Sequence, residues 1–304
     1  MRIALHAMPG NEATADRLSQ ALAAAGHAAH SCTCGIHRFP DGESLVTVDA
    51  GQTNAETEAV VVCTLDKPDA KTVPLLQAAA TLRELGARRV GLLAPYLPYM
   101  RQDQRFAPGQ AVSARVYAKL LSDHFDWLLT VDPHLHRIRN LGEVYAIPAQ
   151  ALSAASLLAE WIGRNVDAPL IIGPDEESAQ WAESVAQRAD APVLVLRKTR
   201  LGAQAVRVHL PNLAAWPNHT PVLVDDIIST GRTLLSAVEQ LRRAGTAAPV
   251  CVAVHGLCAG NAVPSLLAAG AARVVCTNSI AHGGTPIDLT SLMADAVQSM
   301  LAST

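Results

Sequence analysis

Short apolar runs rich in Val, Leu and Ile alternate along the chain with alanine- and leucine-rich stretches of helical spacing. Strands that alternate with helices are typical of βαβ units, so the pattern predicts an α/β protein with mainly parallel sheets flanked by helices. The predicted strands include residues 60–64, 90–94, 127–131, 170–172, 193–196, 222–224, 250–254 and 274–276. The first six residues form a further strand-like run, and residues 39–43 lie between two strand-like regions. The predicted helices include residues 73–85, 112–122, 153–161 and 178–188.

The chain has 304 residues, which is long enough for two domains that each bury a core. The stretch 142–150, which contains Pro148, interrupts the alternation and predicts a boundary between two similar α/β halves. We therefore expect an N-terminal domain at residues 1–147 and a C-terminal domain at residues 148–304. The final helix of the chain is expected to pack back on the N-terminal domain.

Composition excludes several classes of function. The net charge is −3 and no basic block is present, so the chain lacks the positive patch of a nucleic-acid-binding protein. The sequence contains no signal-peptide pattern and no apolar stretch that could span a bilayer. None of the six cysteines forms a C-x-x-C pair. We expect a reduced, cytoplasmic protein that binds neither nucleic acid nor membrane.

Polar clusters follow several of the predicted strands. In open α/β sheets, ligands bind beyond the carboxyl ends of the strands, so these clusters predict the ligand edges of the two sheets. In chain order, the clusters are Arg101-Gln-Asp103, Asp132-Pro-His134, Gly173-Pro-Asp175, Arg197-Lys-Thr-Arg200 and the pair Asp225-Asp226.

The segment 221–233 carries the strongest chemical signal. An apolar strand is followed by Asp225 and Asp226, then by the small-residue turn 229–233, then by apolar residues at helical spacing. The free N–H groups and positive dipole at the start of a helix suit a phosphate, and paired acids suit vicinal hydroxyls or a divalent cation. A sugar 5-phosphate has both features. The alternative is a capped loop, with Ser229 or Thr230 as N-cap and solvated acids.

The segment Val-Asp-Asp-Ile-Ile-Ser-Thr-Gly-Arg-Thr at 224–233 resembles the ribose-phosphate loop of type I phosphoribosyltransferase folds. The rest of the chain narrows the resemblance to the ribose-phosphate diphosphokinase family and extends it over nearly the full length. It implies two similar domains of the type I phosphoribosyltransferase-like fold. It also implies a ribose 5-phosphate site made of Asp225, Asp226, Ser229, Thr230, Gly231, Arg232 and Thr233.

The same resemblance implies an ATP site. Pro95, Tyr96, Tyr99, Arg101, Gln102 and Asp103 match the family pattern Pro-Tyr-x-x-Tyr-x-Arg-Gln-Asp-Arg, although Gln104 stands where Arg is usual. Arg101, Gln102 and Asp103 are therefore expected to contact the nucleotide; the alternative is a solvated charged loop. Phe39, Asp41 and Glu43 resemble a segment that reaches the adenine of a neighbouring subunit; the alternative is an ordinary hairpin turn. A homodimer or larger homo-oligomer follows from this resemblance.

Metal and catalytic roles are implied in the same way. His134 and Asp175 match positions that hold Mg²⁺ or its waters, with Asp132 nearby, although an isolated histidine is an unusual magnesium ligand. Lys198 and Arg200 match a catalytic Lys-x-Arg that contacts the transferring group. Glu177 and Ser178 depart from the family, which has small residues there, and an added carboxylate would repel a diphosphate.

The expected activity is transfer of the β,γ-diphosphoryl group of ATP to the 1-hydroxyl of ribose 5-phosphate, which yields AMP and 5-phosphoribosyl 1-diphosphate. Two alternatives stay open. A phosphoribosyltransferase that consumes this product shares the 224–233 loop but typically has one domain. A non-catalytic regulatory homologue of the synthase would bind ligands without turnover. Lys198, Arg200, His134 and Asp175 argue against the second, and Glu177-Ser178 keeps it open.

Overall fold

The computed structural model describes residues 2–200, 206–209, 213–281 and 286–302, with the backbone alone for residues 197–200 and 206–209. The chain divides into two compact units. The first unit comprises Met1–Leu152 together with Thr290–Thr304, and the second comprises Ser153–Leu289. Each unit has a β-sheet and helices of its own.

The first unit is built on a seven-stranded sheet with the strand order β3-β2-β1-β4-β5-β6-β7. Its pairs are parallel, except for the antiparallel hairpin of β2 and β3 at one edge. Residues 2–152 form β1 (Arg2–Ala7), α1 (Glu12–Ala24), β2 (Ala28–Arg38), β3 (Ser44–Val48), β4 (Thr57–Val62), α2 (Pro68–Glu84), β5 (Arg89–Ala94), α3 (Ser113–Ser122), β6 (Trp127–Val131) and β7 (Ala149–Leu152).

The second unit contains α4 (Ala155–Asn165), β8 (Pro169–Gly173), α5 (Ala179–Ala189), β9 (Val193–Val195), β10 (Arg197–Arg200), β11 (Val206–His209), β12 (Thr220–Ile228), α6 (Arg232–Arg243), β13 (Val250–Gly256), α7 (Ala262–Ala268) and β14 (Arg273–Cys276). Five strands pair in parallel in the order β14-β13-β12-β8-β9. Strands β10 and β11 form a separate antiparallel pair. The last helix, α8 (Thr290–Ala302), belongs to the first unit, where the Arg17 side chain donates to the Thr290 hydroxyl at 3.4 Å.

Helix α6 illustrates how the apolar spacing builds the second unit. Leu234, Ala237, Val238 and Leu241 recur at helical spacing and are all buried. They pack in one cluster with Leu223 of β12 and Cys251 of β13. Because one stripe of the helix is apolar and the rest is polar, burial of that stripe fixes the helix against the sheet. This packing holds the first turn of α6 at the carboxyl end of β12.

The predicted α/β class is confirmed, and every predicted strand overlaps an observed one. The predicted helix 73–85 begins earlier, at Pro68, because proline is well accommodated in the first turn of a helix. The pattern did not predict β7 or the β10–β11 pair. No helix in the described part of the chain is long and apolar enough to cross a bilayer.

Candidate active site

The predicted strand 222–224 was expected to stop at the two acids, and this is wrong. Strand β12 continues through Asp225 and Asp226 to Ile228. The extension exists because β13 keeps pairing with it, with Asp225 opposite Ala253 and Ile227 opposite His255. The acids therefore lie within a hydrogen-bonded strand, and the turn that follows is shorter, with α6 beginning at Arg232.

Gly231 forms the entrance to α6. It has φ +72°, a left-handed conformation that glycine adopts without strain, and as the N-cap residue it provides no side-chain acceptor for the first-turn N–H groups. A β-carbon at this position would lie 3.4 Å from the Ala262 β-carbon, an ordinary van der Waals contact, so the positive φ is the feature that favours glycine here. An N-terminal turn without a side-chain cap leaves backbone N–H groups available for an anion. Ser229 and Gly231 are half-buried, and Thr230 and Arg232 are exposed.

The acidic pair sits in an environment that disfavours charge. Asp226 is buried and Asp225 is half-buried, and the Asp226 backbone N–H donates to the Asp225 carboxylate at 3.0 Å. Burial, followed by the negative charges of Asp226 and Asp175, raises the pKa of Asp225 well above its usual value. The Asp225–Asp226 pair would therefore bind favourably a hydroxyl donor, or a cation that neutralises the negative charge of the carboxylates.

Asp175 follows β8, the neighbour of β12 in the sheet. Its carboxylate accepts a hydrogen bond from the Ser178 N–H at 3.1 Å, and the Ser178 hydroxyl donates to the Asp175 carbonyl at 2.7 Å. Ser178 is buried, whereas Glu177 is exposed. The two residues that depart from the family pattern thus play different parts: Ser178 fixes the turn of Asp175, and Glu177 lies on the surface.

Lys198 and Arg200 lie on β10, where they pair in the backbone with Val208 and Val206 of β11. Their side chains fall outside the described part of the structure, as do residues 201–205 that follow them. The expected contact of these two cations with a transferring group therefore stays a prediction.

In the first unit, Phe39–Glu43 forms the turn between β2 and β3. The Phe39 N–H donates to the Glu43 carbonyl at 2.9 Å, and the Glu43 N–H donates to the Asp41 carboxylate at 3.0 Å. Asp41 is thus engaged in the turn, as a hairpin requires. The Phe39 ring is 41% exposed and meets the His37 ring edge-on at 4.7 Å, so an aromatic face is presented at the tip of the hairpin.

The loop after β5 carries Arg101, Gln102 and Asp103. Arg101 and Gln102 are exposed, but the Asp103 side chain is only 3% exposed. Its carboxylate accepts from the Arg137 backbone N–H at 3.2 Å and from the Arg137 guanidinium at 3.1 Å. Arg137 also lies over the Phe106 ring, 5.9 Å from its centroid. Arg137 was not among the predicted site residues, although it stands in the basic stretch His136-Arg-Ile-Arg139, which begins two residues after His134.

Asp132 and His134 follow β6, which pairs with β5, so the two loops leave the same edge of the sheet. Asp132 is buried, with φ +32° and its N–H donating to the Leu152 carbonyl at 2.8 Å. His134 is half-buried. Within the described residues, no group of three or more His, Cys, Asp or Glu side chains is arranged to hold a metal ion. The bond from Arg137 to Asp103 joins the two loops.

Family models match both halves of the chain. Residues 3–124 match the model described as the N-terminal domain of ribose phosphate pyrophosphokinase. Residues 140–290 match the phosphoribosyl transferase domain. The first match covers β1–β5 of the seven-stranded sheet, and the second covers β7 and all the strands of the second unit.

Individual proteins match along most of their length. A ribose-phosphate pyrophosphokinase of Methanopyrus kandleri is 34% identical over 268 residues, which cover 86% of this chain and 89% of the relative. A ribose-phosphate pyrophosphokinase of Methanosarcina acetivorans is 30% identical over 291 residues, covering 95% and 97%. A crystal structure of phosphoribosylpyrophosphate synthetase from Mycobacterium smegmatis shares the fold, with a TM-score of 0.86, 24% identity and complete coverage of both chains.

Proposed function

The chain belongs to the ribose-phosphate pyrophosphokinase family, and we propose on this basis how its residues perform the family reaction. It is an enzyme that transfers the β,γ-diphosphoryl group of ATP to the 1-hydroxyl of ribose 5-phosphate. The products are AMP and 5-phosphoribosyl 1-diphosphate. The observation that carries this function is the match to proteins named for it across both halves of the chain, at 34% identity over 86% of its length.

Ribose 5-phosphate binds at the start of α6. Backbone N–H groups of residues 229–233 hold the 5-phosphate, because the turn has no side-chain cap and the helix dipole is positive there. The Ser229, Thr230 and Thr233 hydroxyls add donors. Arg232 is exposed at the first position of the helix and adds positive charge there. Without a bound anion, the positive end of the helix dipole repels this charge. A bound phosphate removes this conflict.

Asp225 and Asp226 orient the ribose by accepting hydrogen bonds from its hydroxyls. Burial first, and then repulsion from the Asp226 and Asp175 carboxylates, raises the pKa of Asp225. Hydroxyl donors relieve this repulsion and satisfy the acids at the same time. The arrangement therefore favours a polyhydroxylated ligand over a bare phosphate.

ATP binds to the first unit. Arg101 and Gln102, both exposed in the loop after β5, contact its phosphates and ribose. Phe39 stacks on the adenine, with Asp41 and Glu43 near the polar edge of the base. Asp103 contributes in a different way, since its carboxylate is bonded to Arg137 and holds the loop in position.

Carboxylate and histidine side chains of the chain would contact Mg²⁺ bound together with the nucleotide. This cation usually keeps several waters and takes only one or two carboxylates in addition to substrate phosphates. Asp132 and His134 in the first unit would hold Mg²⁺ or its waters beside the nucleotide phosphates, and Asp175 in the second unit would hold a second cation or its waters. Ser178 holds Asp175 by reciprocal hydrogen bonds, which limits the positions its carboxylate can take. When bound, the cation supplies neutralisation of phosphate charge.

The chemical step needs positioning and charge stabilisation and no protein nucleophile. The 1-hydroxyl oxygen of ribose forms a bond to the β-phosphorus of ATP and loses its proton. The bond from the β-phosphorus to the oxygen that bridges it to the α-phosphate breaks, and AMP leaves with that oxygen. Lys198 and Arg200 contact the diphosphoryl group in transit and stabilise its negative charge.

A homodimer or larger homo-oligomer completes the adenine site. Phe39 lies at the tip of the β2–β3 hairpin and is 41% exposed, so its ring is accessible to a nucleotide held by another copy of the chain. Size-exclusion chromatography with light scattering tests this assembly. A monomer at concentrations where the enzyme is active would contradict it. The six free cysteines fit a reducing compartment such as the cytoplasm.

The direct test is an assay of AMP release from ATP, with ribose 5-phosphate and Mg²⁺ each present or omitted. We expect AMP only when all three are present. Release of AMP without the sugar would indicate a hydrolase. Binding of both ligands without AMP would indicate the regulatory homologue. A phosphoribosyltransferase would instead consume 5-phosphoribosyl 1-diphosphate with a base, and the match of residues 3–124 to the pyrophosphokinase N-terminal domain disfavours it.

A further inference from the structure

Two cysteine thiols of the second unit meet directly behind the candidate ribose 5-phosphate loop. Cys276 is the last residue of β14, and Cys258 follows the end of β13. A β-carbon placed on Gly256 would lie 2.9 Å from the Cys276 sulfur and 3.5 Å from the Cys258 sulfur, so the two thiols border the same small space. They also hydrogen-bond to each other. Glycine at 256 leaves the room that both sulfurs occupy.

Cys258 differs from the other five cysteines, all of which lie in the described part of the chain. It is half-buried, whereas Cys32, Cys34, Cys63, Cys251 and Cys276 are buried. The hydrogen bond with Cys276 lowers the pKa of the Cys258 thiol to about 7. Burial raises the pKa of Cys251 to about 12, and the bond with Cys258 raises that of Cys276. A reachable thiol with a pKa near neutral is a good nucleophile towards disulfides.

We propose that Cys258 and Cys276 form a dithiol modification site, which a low-molecular-weight disulfide converts to an intramolecular disulfide. The Cys258 thiolate attacks one sulfur of the small disulfide, forms a mixed disulfide and releases one thiolate, which takes up a proton. Cys276 then loses its proton, and its sulfur attacks the Cys258 sulfur and displaces the second small thiol. Two protein thiols are oxidised, and one small disulfide is reduced to two thiols.

The backbone connects this dithiol to the sugar-phosphate loop. The Cys258 N–H donates to the Ile228 carbonyl at 2.8 Å, and the Ala259 N–H donates to the Ser229 carbonyl at 3.0 Å. Cys258 itself has φ +44°, a strained conformation for a residue with a β-carbon. A disulfide requires the sulfurs to close to about 2.05 Å with a dihedral near 90°. That closure pulls on the segment that supports the start of the loop.

This coupling rests on the proposed function. Because displacement of positioning groups by about 1 Å can cost 10²-fold in rate, we expect the disulfide to raise KM for ribose 5-phosphate at least about ten-fold. KM for ATP is expected to change little, since the nucleotide residues lie in the first unit.

The test of the chemistry needs no enzyme activity. The full-length protein is incubated with oxidised glutathione at neutral pH, and its mass and unreduced peptide map are measured. We expect the loss of two hydrogen atoms and one cross-linked peptide pair containing Cys258 and Cys276, reversed by dithiothreitol. A stable glutathione adduct on Cys258 in the wild-type protein, a different pair, or no reaction would overturn the proposal.

Variants separate the two steps. Cys276→Ser is expected to accumulate the glutathione adduct on Cys258, because no second thiol displaces it. Cys258→Ser is expected not to react, and Cys32→Ser, a control in the first unit, is expected to react as wild type. In the activity assay, oxidised wild type should lose affinity for ribose 5-phosphate, while oxidised Cys258→Ser should not. Disulfide formation with unchanged KM would overturn the coupling; absence of activity in the reduced wild type would instead refute the proposed function.

Discussion

The Arg137 guanidinium donates to the Asp103 carboxylate at 3.1 Å, and the Arg137 backbone N–H donates to the same carboxylate at 3.2 Å. The acid is nearly excluded from solvent, with its side chain 3% exposed, whereas the arginine is 46% exposed. The pair links the loop after β5 to the loop after β6. Both loops carry residues proposed to bind the nucleotide, so the bond holds the two parts of the proposed ATP site together.

Arg137→Gln is therefore expected to impair ATP binding selectively. Loss of the guanidinium leaves a buried carboxylate short of a donor, which costs about 1–3 kcal/mol when it is not compensated. We expect KM for ATP to rise about ten-fold, while KM for ribose 5-phosphate stays the same, and Arg137→Lys to recover part of the loss. Steady-state kinetics with each substrate varied measures both constants. Arg139→Gln is the matched control, and an equal effect of the two glutamine variants would contradict the role of the Arg137–Asp103 pair.

Lys198→Ala is expected to lower turnover far more than it weakens ATP binding. A donor that acts on charge developing in the transition state is worth about 10²–10³ in kcat. Rapid-quench measurement of AMP formation gives the rate, and equilibrium binding of ATP gives the affinity. Arg197→Ala removes the neighbouring cation outside the Lys198-x-Arg200 pattern and serves as the control. A turnover number unchanged by Lys198→Ala would remove this residue from the mechanism.

Asp226→Asn is expected to raise KM for ribose 5-phosphate without a comparable change in KM for ATP. A hydrogen bond to a charged group contributes about 1.5–3 kcal/mol, so we expect a rise of at least about ten-fold. Glu239→Gln, on the exposed face of α6 and paired with Arg243, provides a control of equal charge change. Saturation curves for ribose 5-phosphate that superimpose for both variants would argue against the ribose site.

His6 makes the stability of the first unit depend on pH. Its side chain is fully buried, and this burial lowers its pKa from 6.5 to about 4, with the charge of Asp49 opposing the shift. Because His6 binds a proton more readily in the unfolded chain than in the folded protein, protonation of His6 favours unfolding. The stability that neutral, buried His6 provides is complete above about pH 6.5 and is lost as the pH falls through 4. From the shift, the full loss is about 3 kcal/mol.

Urea unfolding of wild type and His6→Gln at a series of pH values measures the contribution of His6 to the free energy of unfolding. Other groups also titrate in this range, so the informative quantity is the difference in unfolding free energy between the two proteins at each pH. We expect that difference to shrink, or to reverse in sign, as the pH falls from 7 to 4. A difference that is constant with pH would show that His6 does not contribute.

The apolar runs predicted the α/β class because a buried parallel strand is determined largely by its own residues. Features that depend on a neighbouring strand could not be obtained in this way. Asp225 and Asp226 have the composition of a turn, and only pairing with β13 keeps them in a strand. Ser178 departs from the family pattern, and its role in holding Asp175 follows from hydrogen bonds that the sequence does not show.

Long-range contacts between side chains were equally inaccessible. Arg137 is distant in sequence from Asp103, and nothing local marks either residue as the partner of the other. The same holds for Cys258 and Cys276, which meet because β13 and β14 are neighbours in the sheet. The turn and the helix start at residues 229–233 were predictable because the residues that form them are contiguous, whereas phosphate binding by this segment stays a prediction.

In the reaction of this family, two phosphates move together from ATP to the sugar. The most direct measurement uses ATP labelled with radioactive phosphorus at the β position, incubated with ribose 5-phosphate and Mg²⁺, followed by separation of the products. We predict that the label appears in 5-phosphoribosyl 1-diphosphate and that the nucleotide product is unlabelled AMP. Label retained in ADP, or released from ATP when ribose 5-phosphate is omitted, would show that the β,γ-diphosphoryl group is not transferred to the sugar as a unit.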